Sequence, residues 1–155
     1  MRWGRFAAMI VTSTLVMFGL MYLNTYEPSH VHFSQTRSWM ALYMGGVMAA
    51  IMLAFMWGMY EGRGAKMLVL GLSATAFVLG LVMVRSQATV GDVAWMKAMI
   101  PHHSIAILTS ERAHISDPRV RDLADGIIET QRREIARMEA LIAELEGGAP
   151  VRQSE

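Results

Sequence analysis

Three long apolar segments in the first 85 residues decide what this chain can fold into. They run from about Phe6 to Leu23, from about Trp39 to Tyr60 and from about Met67 to Val84, and none contains Asp, Glu, Lys or Arg. A helix needs roughly 20 apolar residues to cross the hydrocarbon core of a bilayer. The sequence therefore predicts three transmembrane helices, with the lipid bilayer as their surroundings.

The first apolar segment also has one property of a secretory signal peptide, because Arg2 and Arg5 precede it. However, its apolar stretch is long, and no small-x-small cleavage site follows in LNTYEPSH. We therefore predict that the segment is retained as a helix.

Positive residues near the helix ends predict the orientation, since Lys and Arg are enriched in cytoplasmic loops. The N-terminus and the loop between the second and third segments would lie on one side of the membrane. They carry four positive residues: Arg2, Arg5, Arg63 and Lys66. The opposite ends carry only Arg37 and Arg85. We predict an integral protein of the bacterial inner membrane, with its N-terminus in the cytoplasm and everything after Arg85 in the periplasm.

The composition argues against several classes of function. A net charge of +1 gives no reason to expect nucleic acid as a partner, and the absence of cysteine removes disulfides and thiolate sites. No Ser-His-Asp arrangement, glycine-rich phosphate loop or HExxH motif is present, so the chain is predicted not to be an enzyme. The unusual count is methionine, with 15 residues.

The pattern after Ser86 changes to that of amphipathic helices. One helix begins at Thr89 or Asp92 and runs toward Ile115. Pro101 interrupts it, and proline favours a bend or a new helix start because it lacks a backbone donor.

A second amphipathic helix follows the turn SDPRV. Asp117 is predicted as its N-cap and Pro118 as its first helical residue, and the helix should stop at Gly147–Gly148. Its core positions at three-four spacing are Ala124, Ile128, Ile135, Met138, Ile142 and Leu145.

The predicted fold is all-α, with three regions: a transmembrane region over 1–85, an extracytoplasmic helical hairpin over 86–146 and a disordered tail over 147–155. Two helices cannot enclose a core between them. We therefore expect the hairpin to complete a four-helix bundle by forming a homodimer or a higher homo-oligomer.

The segment MKAMIPHH, residues 96–103, carries the strongest chemical signal. Residues three, four or seven apart share one face of a helix, which groups Met96, Met99 and His103, with His114 further along. His102 is rotated by about 100° from this face. Thioether sulfur is a soft ligand and imidazole a borderline one, so the set favours copper, and Cu(I) in particular.

A packing interpretation of the same residues stays open. Methionine on an amphipathic helix is commonly core filler. A histidine near a helix end, such as His114, is favoured there by the helix dipole.

The stretch AWMKAMIPHHSIAI, followed by DPRVRDLADGIIETQRREIARM, resembles the domain of unknown function 305 family over residues 89 to 146. The resemblance implies a helical, extracytoplasmic protein that binds copper and contributes to copper tolerance. It points to Met99, His102, His103 and Met138. Two departures stand out: Thr109 occupies a place where many relatives have methionine, and the hairpin unit occurs once, whereas many relatives contain it twice.

The second apolar segment holds a methionine at every fourth position: Met40, Met44, Met48, Met52 and Met56. This pattern is similar to the Met-x3-Met pair of Ctr-type copper transporters, which suggests a methionine-lined copper path. The alternative is packing, since Ala41, Gly45 and Ala49 beside the stripe form a small-residue face suited to helix association.

The sequence thus predicts a membrane-anchored copper-binding protein that sequesters copper or contributes to tolerance, with copper export or chaperone proteins as possible partners. The alternatives are a structural or interaction module without metal, and a copper-conducting membrane protein. The predicted ligands are Met96, Met99, His102, His103 and Met138. The predicted auxiliary ligands are His30, His32, His114, Met44 and Met48.

Overall fold

The computed structural model describes residues 3–147, and within that range it contains helices and no strand. The five α-helices are α1 (Trp3–Leu20), α2 (Gln35–Phe55), α3 (Arg63–Ser86), α4 (Asp92–Arg112) and α5 (Pro118–Leu145). Two short 3-10 helices, Pro28–His30 and Trp57–Met59, lie in the connections. The all-α prediction is confirmed. The predicted disordered tail lies outside the described residues, apart from Gly147.

The chain divides into two compact units. Within residues 3–147, the apolar unit comprises 3–21 and 35–89, and the C-terminal unit comprises 22–34 and 90–147. The predicted division placed residues 22–34 in the transmembrane region, but their contacts group them with α4 and α5.

Helices α1, α2 and α3 of the apolar unit are each long and apolar enough to cross a membrane. Both α1 and α3 pack against α2. The small-residue face predicted on α2 is buried at Ala41, Gly45 and Ala49.

Glycines allow α2 and α3 to approach closely. A Cβ atom built on Gly46 would lie 2.8 Å from the carbonyl oxygen of Ser73, and one built on Gly80 would lie 2.9 Å from that of Trp39. Neither contact leaves room for a side chain, because the obstructing atoms belong to the backbone. Small residues at helix crossings are typical of membrane helix packing.

Helices α4 and α5 pack antiparallel to each other in the C-terminal unit. Lys97 near the start of α4 pairs with Glu146 just after α5, while Glu111 near the end of α4 pairs with Arg132 in the middle of α5. The core between them contains Met96, Ile100, Ile107, Ile135, Met138 and Ile142.

Helix α5 begins as predicted. Its N-cap is Asp117, whose Oδ1 accepts the backbone N–H of Arg119 at 2.9 Å, and Pro118 is the first helical residue. Hydrogen bonds from Arg119 also lower the pKa of the Asp117 carboxyl group. The helix ends at Leu145, and Gly147 follows with a φ of +89°.

Of the two outcomes predicted at Pro101, a bend or a new helix start, the second does not occur, and the C-terminus of α4 also differs from the prediction. Helix α4 continues through Pro101 as one helix, so no new helix starts there, and the proline is fully buried. A proline removes one backbone donor, and the hydrogen bonds of the surrounding turns suffice to continue the helix. The helix ends at Arg112, before the predicted Ile115.

Residues 22–34 pack against α4. The backbone N–H of Tyr26 donates to Ser104 Oγ at 2.6 Å, and His30 Nδ1 lies 3.0 Å from the same oxygen. The Tyr26 ring packs against the core of the unit, and both His30 and Ser104 are buried. This segment therefore supplies part of the cover that two helices alone would lack.

We predict that Gly80→Ala destabilises the apolar unit by about 1–3 kcal/mol, because the added methyl group overpacks a backbone contact. The measurement is denaturant unfolding of the detergent-solubilised protein, followed by circular dichroism. The matched control is Gly71→Ala in the same helix, where a Cβ atom would meet nothing within 4 Å. Equal stability of the two variants would contradict the close-packing interpretation.

We predict that Ser104→Ala speeds hydrogen exchange at the Tyr26 amide by about tenfold, since a partly buried donor loses its acceptor. Exchange is measured on the full chain by NMR or mass spectrometry. The control is Thr109→Ala, because the Thr109 hydroxyl bonds only to carbonyl oxygens of its own helix. Unchanged exchange at Tyr26 in Ser104→Ala would show that the segment is held by other contacts.

Candidate metal site

The core between α4 and α5 gathers three of the five predicted metal ligands. Met96 and Met138 are buried in the core, with 5% and 6% of their surface exposed, and Met99 packs against the same core while partly buried. The three thioethers therefore belong to one cluster that draws on both helices.

His103 lies one helical turn after Met99 and faces α5. Its Nδ1 is 3.4 Å from Oε2 of Glu134. Glu134 in turn precedes Met138 by four residues, which is one turn of α5. Because the helices are antiparallel, contact between His103 and Glu134 puts Met99 level with Met138. Two thioethers and one imidazole thus occupy adjacent turns of the same interface.

Burial controls the protonation of His103. Desolvation lowers the pKa of His103 below its ordinary value of 6.5, the Glu134 carboxylate opposes this shift, and His102 adds to it. The net lowering favours the neutral imidazole, which is the form that binds metals. The arrangement thus provides neutral, soft or borderline donors in a largely dry interface, which suits Cu(I) better than hard cations.

His102 is placed differently from its neighbour. It is exposed, and its ring centroid is 6.2 Å from that of His103, with 53° between the ring planes. The two adjacent histidines therefore do not face the methionine cluster together.

The predicted auxiliary residues are scattered. His114 follows the end of α4 at Arg112 and is exposed, so the expectation that it continues the stripe of Met99 and His103 is wrong. His30 is engaged with Ser104, and His32 is half-buried, with its Nε2 lacking a hydrogen-bond partner. Met44 and Met48 are half-buried on α2 in the apolar unit.

Metal sites made only of His, Asp and Glu are not formed within residues 3–147, since no three such side chains group closely enough to hold an ion. The cluster described above is of another kind, because methionine supplies most of its donors.

The sequence analysis did not predict that Glu134 and Ser104 belong to the region of the site. Glu134 stands four residues before Met138, a spacing that puts both on one face of α5 and offers a signal for its proximity to the cluster. Ser104 directly follows His103, but its partners Tyr26 and His30 are 78 and 74 residues away, so no local pattern indicates them.

Comparison with known proteins bears on the C-terminal part of the chain. The family model for a domain of unknown function, DUF305, matches residues 83–153. This match supports the family predicted for that region. An uncharacterized protein of Acanthamoeba polyphaga mimivirus is 35% identical over 75 residues, which are 47% of this chain and 49% of that protein. The chain thus spans about half the length of this curated relative. No solved structure matches.

The lowered pKa of His103 predicts a pH dependence of stability. Below the ordinary pKa of 6.5, an unfolded chain takes up a proton at His103 more readily than the folded chain does. The stabilising contribution is therefore fully present above that pH and is lost as pH falls toward the lower, folded-state pKa.

The measurement is the thermal midpoint of the full chain in detergent between about pH 8 and pH 5. His103→Gln should show a smaller loss of midpoint on acidification than the parent. His114→Gln, at an exposed histidine outside the interface, should keep the parent's acid sensitivity. Identical pH profiles for the parent and His103→Gln would refute the prediction.

Proposed function

We propose that this chain is a membrane-anchored copper-binding protein whose C-terminal unit holds Cu(I) through methionine and histidine. The observation that carries the proposal is the α4–α5 interface, where Met99 packs against the core that contains Met138, and His103 follows Met99 by one turn of α4. In this proposal the three residues are the principal ligands and Met96 is auxiliary. The role is sequestration or handover of copper, with no catalytic step.

Exposed His102 gives the proposal a route for transfer. A ligand on the surface can receive copper from a partner protein and pass it on to the ligands in the interface. The same ligand can also receive the ion from the interface and release it to a partner. Copper export or chaperone proteins are the class of partner that this role requires.

The chain topology supports placing the unit outside the cytoplasm. In a protein with three spans, the connection after α1 and the chain after α3 lie on the same side of the membrane. The packing of residues 22–34 with α4 and α5 agrees with such an arrangement. The excess of Lys and Arg at the opposite helix ends favours the periplasm for this side.

A homodimer is part of the proposal. Helix α5 leaves five large apolar side chains exposed: Val120, Leu123, Ile127, Leu141 and Leu145. A second copy that buried them would complete the four-helix bundle expected from the sequence.

The test is a Cu(I) competition titration with a colorimetric chelator on the full chain in detergent. The full chain is required because residues 22–34 form part of the unit. Met99→Leu/Met138→Leu keeps the volume of the core but removes both sulfur atoms. We expect this variant and His103→Ala each to bind Cu(I) more weakly than the parent by roughly 10–100-fold or more. Losses of roughly that size occur even when the replaced residue only contacts a metal ligand.

The control is Met44→Leu/Met48→Leu, which removes the same number of thioethers from the apolar unit. It should leave the affinity unchanged. If this control loses copper binding while the interface variants keep it, the result would favour the copper-conducting alternative. The molar mass of each sample addresses the structural alternative, which predicts a stable dimer and no tight copper binding in any variant.

A further inference from the structure

The ring nitrogen of His103 that points toward α5 is buried and lacks a hydrogen-bond partner. The nearest ionisable group is Glu134, whose Oε2 lies 3.4 Å from that Nδ1. This separation is slightly longer than a formed hydrogen bond. The His103 side chain is 18% exposed and that of Glu134 is 50% exposed, so the carboxylate can adjust while the imidazole is held.

The charges around Glu134 leave it available for His103. Arg132 pairs with Glu111, and Arg133 lies within ion-pairing distance of Glu129. Among residues 3–147, His103 is the only Lys, Arg or His residue with a side-chain nitrogen within ion-pairing distance of Glu134. Three consecutive charged residues of α5 thus have three different partners.

An ionised carboxylate can only accept hydrogen bonds. If Nδ1 carried a lone pair, it would face the lone pairs of Oε2, which is unfavourable. A proton on Nδ1 converts this contact into a charge-assisted hydrogen bond and leaves the ring's lone pair on Nε2. In metal sites the partner of one ring nitrogen commonly determines which nitrogen binds the ion.

We propose that Glu134 is a positioning residue that holds the proton of neutral His103 on Nδ1 and thereby presents Nε2 as the metal-binding nitrogen. This inference rests on the proposed function, since it assigns a role within the same site. It also makes a statement about the metal-free protein, which can be tested without copper.

The first measurement is the tautomer of His103 in the metal-free full chain, from ¹⁵N NMR of histidine-labelled protein in detergent. His103→Ala identifies the signals. We expect the Nδ1–H tautomer to dominate in the parent, to decline in Glu134→Leu, and to be partly retained in Glu134→Gln, whose carbonyl oxygen still accepts a hydrogen bond. The matched control is Glu129→Leu, one of the exposed carboxylates of α5, which should match the parent.

The second measurement is Cu(I) affinity of the same proteins. Glu134→Leu should bind roughly 10–100-fold more weakly than the parent, as is typical for loss of an outer-shell partner. The inference is overturned if the parent holds the Nε2–H tautomer, or if Glu134→Leu changes neither the tautomer nor the affinity. A different result would contradict the proposed function, namely equal copper affinity of the parent and His103→Ala. In that case the tautomer measurement still decides whether Glu134 positions the His103 ring.

Discussion

The register of α4 against α5 is the constraint on which the C-terminal unit depends. Isoleucines at 100, 107, 135 and 142 fill the interface, and the ion pairs of Lys97 with Glu146 and of Arg132 with Glu111 lie toward its two ends. Exposed ion pairs contribute little stability each, so the apolar core sets the register. A shift of α5 by one residue would rotate its side chains by about 100° and separate Met138 from the level of Met99.

The methionines suit an interface that must be stable with and without an ion. A thioether is apolar enough to be buried without a hydrogen-bond partner, unlike a carboxylate, whose burial is costly. The same sulfur has lone pairs that can coordinate a soft metal. Packing and metal binding are thus compatible uses of Met96, Met99 and Met138, which explains why sequence patterns alone do not distinguish them.

Local patterns predict much of this structure. Uncharged runs of sufficient length predict α1, α2 and α3, and the Asp117–Pro118 pair predicts the start of α5. The three-four spacing of Met96, Met99 and His103 predicts their common side. These features depend on residues close in sequence, so periodicity and capping preferences reveal them.

Features that depend on distant residues or on local competition could not be predicted. Pro101 favours a break, but α4 continues through it, and the proline is fully buried. The early end of α4 removes His114 from the stripe, and nothing in RAHISDP fixes that end within a few residues. The docking of Tyr26 and His30 on Ser104 joins residues more than 70 positions apart.

That docking gives the compact unit a different extent from the region that matches the family model. The family match begins at residue 83, whereas the compact unit also includes residues 22–34, which lie between the first two apolar helices. A gene fusion that moved only the matched region to another protein would leave Tyr26 and His30 behind. The transplanted helices would carry an uncovered Ser104 hydroxyl group and an exposed strip of core. In this chain, therefore, the continuous stretch that matches the family model leaves out a segment of the compact unit.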